Sequence, residues 1–219
     1  MDERDVGGTL HVRRGPRGHV RVPGEEEARV GSVAAIVIAG GESRRFGSDK
    51  LDLRDARGRT LLYVTVEGVA RVADPVIVVG PQRELSTDVT WVREMPVGGG
   101  PCAALIAGVA ALPLDATHVV VLAGDAPRGA DAVPALLTVI DDGAVATVLD
   151  TAGREQPLTA VYAVPHLREV LKPLGDGANQ SVRVVLDALR PRTVISLIDA
   201  WGASDDIDVA EDAQRLGFD

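Results

Sequence analysis

From Val33 onward, short apolar runs alternate with stretches in which apolar and polar residues mix at helical spacing. The runs have the length of strands, and their lack of polar positions predicts strands that are buried on both faces. The predicted strands are Val33–Ala39, Val76–Val79, Thr90–Val92, Val119–Leu122, Val145–Leu149, Leu158–Ala163 and Thr193–Leu197. The predicted helices are Thr60–Val72, Ala103–Leu112, Val133–Ile140, Leu167–Leu171, Ser181–Leu189 and Ala210–Leu216. This alternation indicates an α/β fold: a Rossmann-like, mostly parallel sheet sandwiched by helices.

The first 31 residues follow a different pattern. They are rich in Arg, Gly and Glu, and isolated apolar residues such as Leu10 and Val20 are too few to build a core. We therefore expect residues 1–31 to be a flexible N-terminal extension and residues 32–219 to be one domain. The alternative is a small hairpin, because residues 9–13 and 19–22 alternate in polarity around a Gly-Pro turn.

Composition narrows the class of protein. A hydrophobic content of 46% over 219 residues suits a sizeable core, and no apolar run reaches the length of a transmembrane helix. The formal net charge of −9 argues against nucleic acid or an anionic membrane as a partner, since both repel an acidic surface. Cys102 is the only cysteine, so no internal disulfide can form, and no signal peptide is visible. We expect a cytoplasmic protein.

The first candidate site is a glycine turn that follows the first predicted strand. Residues 36–50 read IVIAGGESRRFGSDK. Gly40 and Gly41 let backbone N–H groups approach phosphate oxygens closely. Positive charge for a polyphosphate would come from Arg44, Arg45 and Lys50. The arrangement indicates a triphosphate-binding loop, although neither a Walker loop nor G-x-G-x-x-G is present, and the alternative is an ordinary turn with solvated arginines.

The second candidate site is acidic. Asp125 comes directly after the predicted strand Val119–Leu122, at the sheet edge where the glycine turn also opens. Mg²⁺ prefers one or two carboxylates together with phosphate oxygens and water, so Asp125 is a candidate ligand. Asp206 and Asp208 flank Ile207 and would face one side of an extended segment, which makes them candidate partners. The alternatives are a turn or helix-capping role for Asp125 and a solvated acidic face for the later run.

The third candidate site is a second glycine-rich loop. Residues 96–105 read PVGGGPCAAL, in which three glycines precede an alanine-rich helix. A backbone without side chains could lie against a flat ligand and read the edge of a nucleobase. The alternative is a close contact between helix and sheet, which Ala103 and Ala104 would also permit.

In chain order these motifs resemble a known family. AGGxSxRFGxDK over residues 39–50, then Gly99-Gly100-Pro101, Gly124-Asp125-x-Pro127 and Asp206-Ile207-Asp208, are similar to nucleotidyltransferases of the molybdenum cofactor guanylyltransferase type. The resemblance spans residues 33–216, and the Asp-Lys pair and Gln156–Tyr162 favour this branch over sugar-phosphate branches. It implies a nucleotide-diphospho-sugar transferase-like fold, with residues 32–219 as the nucleotidyltransferase domain.

The resemblance also implies residue roles. The implied catalytic residues are Arg45, Lys50 and Asp125. The implied nucleotide-binding residues are Ile38, Ala39, Gly40, Gly41, Lys50, Glu94, Gly99, Gly100 and Asp125. The implied Mg²⁺ ligands are Asp125 and Asp208.

The implied reaction is Mg²⁺-dependent transfer of GMP from GTP to molybdopterin. The terminal phosphate of the acceptor would attack the α-phosphorus and expel pyrophosphate, with no covalent enzyme intermediate. We expect the acceptor near Gln156, Thr159 and residues 175–181, named here the acceptor loop. Proteins that handle the cofactor, or molybdoenzymes that accept it, are further candidate partners.

Some positions depart from the family pattern. Gly80 offers only backbone where a side chain often contacts the base, which leaves GTP against CTP open. Glu94 replaces an Asp, Gly124 a common Cys, and Asp206 and Asp208 stand where guanylyltransferases frequently have Asn. The alternatives are therefore a cytidylyltransferase or sugar-phosphate nucleotidyltransferase, and a non-catalytic nucleotide-binding or adaptor domain.

Overall fold

The structure, a computed structural model, describes residues 32–41, 49–140 and 143–219. The extension predicted for residues 1–31 lies outside them, as do Arg44 and Arg45 of the predicted phosphate loop. The glycine turn is described as far as Gly41, and the chain is described again from Asp49.

Strands and helices alternate along the described chain, as the apolar runs predicted. The strands are β1 Val33–Ile38, β2 Val76–Val79, β3 Thr90–Val92, β4 His118–Ala123, β5 Val145–Leu149, β6 Glu155–Ala163 and β7 Val194–Ile198. The helices are α1 Leu61–Val69, α2 Pro101–Ala110, α3 Val133–Ile140, α4 Val164–Leu171, α5 Arg183–Leu189 and α6 Ala210–Leu216. Within these described ranges, no helix has both the length and the apolar character needed to cross a bilayer.

The strands form one sheet in the order β3-β2-β1-β4-β6-β5-β7. β1 is parallel to β2 and β4, β2 to β3, and β5 to β7, while β6 is antiparallel to both of its neighbours. The carboxyl ends of the parallel strands therefore meet at one edge, and β6 begins there. The expected α/β fold with a mostly parallel sheet is confirmed, and this carboxyl edge is where such folds bind ligands.

Helices cover both faces of the sheet. Ala35 and Val37 of β1 belong to the core that α1 and α3 close, and Ala34 and Ile36 belong to the core under α2, α4 and α5. Because both faces are buried, β1 reads as a continuous apolar run. α2 approaches so closely that a Cβ on Gly108 would lie 2.7 Å from Ile36 Cγ2. This close packing holds α2 against the sheet.

Candidate active site

The glycine turn lies at the carboxyl edge of the sheet, between β2 and β4. Main-chain hydrogen bonds continue past the strand ends: Ala39 N donates to Val79 O at 2.7 Å, and Gly124 N donates to Ile38 O at 2.9 Å. Gly80 closes on the same turn, since a Cβ there would lie 2.6 Å from the carbonyl carbon of Ala39. Main chain on both sides therefore holds the start of the turn in place.

Glu94, just after β3, lies against the glycine turn. Its side chain is 2% exposed, and a Cβ on Gly40 would lie 3.3 Å from its Oε1. Oε1 accepts a hydrogen bond from Gly98 N at 3.0 Å. Oε2 is buried and has no hydrogen-bond partner within the described part of the chain, with Arg93 Nε 3.7 Å away. A buried acceptor without a donor costs free energy, so Glu94 is a candidate contact for a bound group.

The glycines of residues 98–100 shape the loop that leads into α2. Gly98 and Gly100 have φ angles of 75° and 90°, in the left-handed region that favours glycine. Gly99 is buried, and a Cβ on it would lie 2.9 Å from Ala103 Cβ. Its carbonyl accepts a hydrogen bond from Asn179 N of the acceptor loop at 2.7 Å. Close packing explains Gly99, and the nucleotide contacts of Gly99 and Gly100 stay predictions.

Lys50 joins the first loop to both acidic segments. Its Nζ lies 2.5 Å from Asp125 Oδ2 and 3.2 Å from Asp208 Oδ1, and it donates to Ile207 O at 2.6 Å. Burial alone would lower the pKa of Lys50, but the charges of Asp125 and Asp208 outweigh burial and raise the pKa. Lys50 is therefore held as a cation at the carboxyl edge of the sheet.

Asp125, Asp206 and Asp208 form an acidic cluster, in which one carboxylate oxygen of each lies within 4.8 Å of the others. Ile207 is fully buried, so the residues on either side of it face the site together, as their alternation predicted. Burial, and then the charges of Asp125 and Asp208, raise the pKa of Asp206. Carboxylate oxygens are the ligands that Mg²⁺ prefers, and a divalent ion would relieve their repulsion. The donor set fits such an ion, with Asp206 as a third candidate beside the predicted pair.

A turn held by Asp199 supports the cluster. Its Oδ1 accepts hydrogen bonds from Trp201 N and Ala203 N, both at 3.0 Å, and its Oδ2 accepts from N and Oγ of Ser204, both at 2.7 Å. Burial would raise the pKa of Asp199, but these hydrogen bonds outweigh burial and lower the pKa. Thr159 is buried, and its Oγ1 donates to Ala203 O at 3.4 Å. The Thr159 hydroxyl, expected near the acceptor, thus contacts the supporting turn.

The predicted acceptor side begins where β6 starts. Thr159 lies opposite Leu122 near the end of β4, so Gln156 extends past that end, on the side of Asp125. The amide nitrogen of Gln156 donates to Asp150 Oδ2 at 2.9 Å. The acceptor loop packs on α2, since a Cβ on its Gly177 would lie 2.7 Å from a side-chain carbon of that helix. Both predicted acceptor elements therefore lie beside segments that were predicted to bind the nucleotide.

One charged residue at this edge, Arg83, was not predicted from the sequence. Arg83, in the loop after β2, pairs with Asp49 beside Lys50, 34 positions earlier in the chain. Local patterns carry no signal for a pair of this kind. For Asp206 a signal existed, namely its alternation with Asp208, while Arg45 lies outside the described residues.

Comparison with known proteins agrees with this geometry. The MobA-like NTP transferase domain family matches residues 35–210. A probable molybdenum cofactor guanylyltransferase of Mycolicibacterium paratuberculosis is 32% identical over 168 residues, which cover 74% of this chain and 85% of that protein.

Solved structures extend the comparison. A nucleotidyl transferase from Methanothermobacter thermautotroptrophicus is 26% identical, with a TM-score of 0.66 over 85% of this chain and 96% of that one. Rv0371c from Mycobacterium tuberculosis, in complex with manganese, is 21% identical, with a TM-score of 0.56 over 85% and 98%. The resemblance read from the motifs is confirmed, against the adaptor alternative. The chain belongs to the MobA-like NTP transferase domain family and is a nucleotidyltransferase.

Proposed function

We propose that this protein is a molybdenum cofactor guanylyltransferase, which uses Mg²⁺ to transfer GMP from GTP to molybdopterin. One observation carries the proposal. The Asp125, Asp206 and Asp208 carboxylates cluster at the sheet edge that bears the glycine turn, and Lys50 forms ion pairs with Asp125 and Asp208 there. The name of the Mycolicibacterium relative supports the acceptor, and the manganese complex of Rv0371c supports a divalent ion.

The buried Glu94 supports GTP over CTP. A carboxylate can only accept hydrogen bonds, and Glu94 Oε2 lacks a donor among the described residues. Guanine presents neighbouring N–H donors along its pairing edge, whereas cytosine presents its amino group beside acceptors. A buried acceptor that lacks a hydrogen-bond donor within the described part of the chain, next to Gly40, therefore suits guanine better.

The chemistry requires positioning more than proton transfer. The acceptor's phosphate is already an anion, so one of its oxygens bonds to the α-phosphorus of GTP while the bond to the bridging oxygen breaks and pyrophosphate leaves. Lys50 would balance charge on the departing phosphates, and backbone N–H groups of the glycine turn would hold the remaining oxygens. Asp125, Asp206 and Asp208 would hold Mg²⁺, which supplies Lewis acidity when bound. Arg45 keeps its predicted role beside Lys50.

The test is pyrophosphate release from GTP, CTP, ATP and UTP with Mg²⁺, with and without molybdopterin, for the wild type and Asp125→Asn. We expect release from GTP that requires molybdopterin and falls on the order of 100-fold in the variant, as when other preorganised charges are removed. Asp115→Asn is the matched control, because Asp115 is exposed and precedes β4 at the opposite edge of the sheet. Pyrophosphate release from CTP alone would indicate a cytidylyltransferase. No pyrophosphate release from any nucleotide, with or without molybdopterin, would refute the proposal.

The base assignment has its own test in Glu94→Gln. The substitution keeps the shape of the side chain but places an N–H donor where guanine also donates. We expect kcat/KM for GTP to fall by about tenfold or more, in line with the loss of one good base contact. An unchanged kcat/KM for GTP would remove Glu94 from base recognition.

A further inference from the structure

We propose that Arg83 is a positioning residue: it holds the short turn that carries Lys50 and so places the Lys50 ammonium at the active site. The proposal deepens the proposed function, because it concerns the same cation. The contact between Arg83 and the turn that carries Lys50 does not depend on which nucleotide binds.

The turn in question is a 3₁₀ turn over Lys50–Asp52. Asp49 caps it, since Asp49 Oδ1 accepts a hydrogen bond from Leu51 N at 3.1 Å. Leu51 is buried in the core beneath, which anchors the middle of the turn. The side chains of Asp49 and Asp52, on either side of Lys50 in the chain, are 40% and 64% exposed, so their carboxylates are open to a partner of opposite charge.

Arg83 is that partner. Its Nη2 pairs with Asp49 Oδ2, and its Nε lies 3.5 Å from Asp52 Oδ1. Its Nη1 donates to Pro81 O at 3.2 Å, which fixes the guanidinium over its own loop. The side chain is only 15% exposed. One planar guanidinium therefore contacts Asp49 and Asp52, which lie on either side of Lys50 in the chain. Each of its three nitrogens has a contact.

Two consequences for Lys50 follow. Arg83 holds the backbone from which the ammonium reaches Asp125 and Asp208, so loss of Arg83 loosens the placement of that ammonium. Arg83 also neutralises carboxylates that would otherwise compete for Lys50 and repel a polyphosphate. A lysine at position 83 would keep the charge but not the planar fork, so it would restore only part of the effect.

The first measurement does not depend on function. Lys50 and Lys172 are the only lysines in the chain, and Lys172 is exposed, so labelling by an amine-specific anhydride gives an internal ratio of Lys50 to Lys172 by mass spectrometry. We expect Arg83→Met to raise this ratio by about threefold or more, because Lys50 then leaves its carboxylate contacts more often. Arg192→Met is the matched control: it removes a 2.7 Å ion pair with Glu169 at the opposite edge. An unchanged ratio in Arg83→Met would overturn the proposal.

The second measurement separates positioning from direct nucleotide contact. The dissociation constant of a fluorescent GTP analogue is measured without acceptor for the wild type, Arg83→Met, Lys50→Met and the double variant. We expect about a tenfold weakening in Arg83→Met, since a misplaced Lys50 ammonium makes a weaker charge-assisted contact with the phosphates. In the Lys50→Met background the same substitution should change affinity by less than about twofold, because the residue it acts through is gone.

The outcomes distinguish the two proposals. A full tenfold effect of Arg83→Met in the Lys50→Met background would mean that Arg83 contacts the nucleotide itself, and would overturn the positioning role. Arg83→Lys should recover part of both readouts, whereas a loss of thermal stability alone, shared with Arg192→Met, would reduce Arg83 to a structural residue. If no nucleotide binds the wild type but the labelling ratio rises as expected, the proposed function fails and the positioning role stands.

Discussion

Lys50→Met should raise the affinity of the nucleotide-free protein for a divalent cation. The Lys50 ammonium lies 2.5 Å from Asp125 Oδ2 and 3.2 Å from Asp208 Oδ1, and these oxygens belong to the acidic cluster that fits a metal. A cation that enters this cluster must therefore share its oxygens with Lys50 or displace it. Methionine keeps much of the length and apolar body of lysine but removes the charge.

The size of the effect can be worked from the geometry. The Lys50 and Asp125 side chains are only 17% and 18% exposed and that of Asp208 is 56% exposed, so the water-like limit gives a lower bound on the charge repulsion. A single and a double positive charge about 5 Å apart repel by about 1.7 kcal/mol in that limit. Lysine can swing away and relieve part of this repulsion, so we expect a gain of about tenfold in affinity.

The assay is titration with Mn²⁺ without nucleotide, in which electron paramagnetic resonance reports the free ion. Lys172→Met is the control, because it changes the net charge equally at an exposed position. Low salt should enlarge the Lys50→Met effect and high salt should shrink it, since screening weakens charge repulsion. Equal or weaker Mn²⁺ binding by Lys50→Met would refute the idea that lysine and metal compete for these carboxylates.

Three further results are expected. Gly80→Ala should lower the free energy of unfolding in urea by about 1–3 kcal/mol, because its Cβ would lie 2.6 Å from Ala39 backbone, and a change under about 0.5 kcal/mol would contradict this packing. Asp199 has a pKa below its ordinary 3.8, so its carboxylate stabilises the fold above that pH and loses this effect as pH falls through the lowered pKa. The stability gap between wild type and Asp199→Asn should therefore shrink between pH 7 and pH 3, and a constant gap would contradict it. Chelation of divalent ions should abolish nucleotide binding measured by fluorescence, and binding that survives chelation would show that the carboxylates need no metal partner.

Buried parallel strands made most of the fold predictable. A strand that is covered on both faces, such as β1, is apolar at every position. Its continuous apolar run therefore shows where the strand lies and where it ends next to the site. β6 was predicted three residues short, because Glu155 and Gln156 begin it at the half-buried end of the sheet. α4 was predicted to start at Leu167, whereas it starts at Val164 with Pro165 in its first turn, where proline is well tolerated.

Two local signals made part of the site predictable, namely the ends of parallel strands and the alternation of Asp206 with Asp208 around the buried Ile207. Gly40 and Asp125 come directly after neighbouring parallel strands, so the topology itself brings them together. The burial of Glu94 and the pairing of Arg83 with Asp49 depend instead on the paths of two loops, which residue patterns do not encode. From the sequence, Arg83 in a polar loop is expected to be exposed to solvent, because its partner Asp49 belongs to a different loop.

The charge balance of the described site explains why metal and nucleotide should bind together. Three carboxylates, those of Asp125, Asp206 and Asp208, lie with one lysine at the same sheet edge, while Arg83 offsets the two carboxylates beside that lysine. Among the described residues the carboxylates at this edge outnumber the cations, and this balance opposes the entry of a triphosphate alone. A divalent ion held by Asp125, Asp206 and Asp208 would offset much of that negative charge, and it would compete with Lys50 for the oxygens of Asp125 and Asp208. The Lys50 ammonium, already held at this edge before binding, would then be in place to contact phosphate oxygens of the nucleotide.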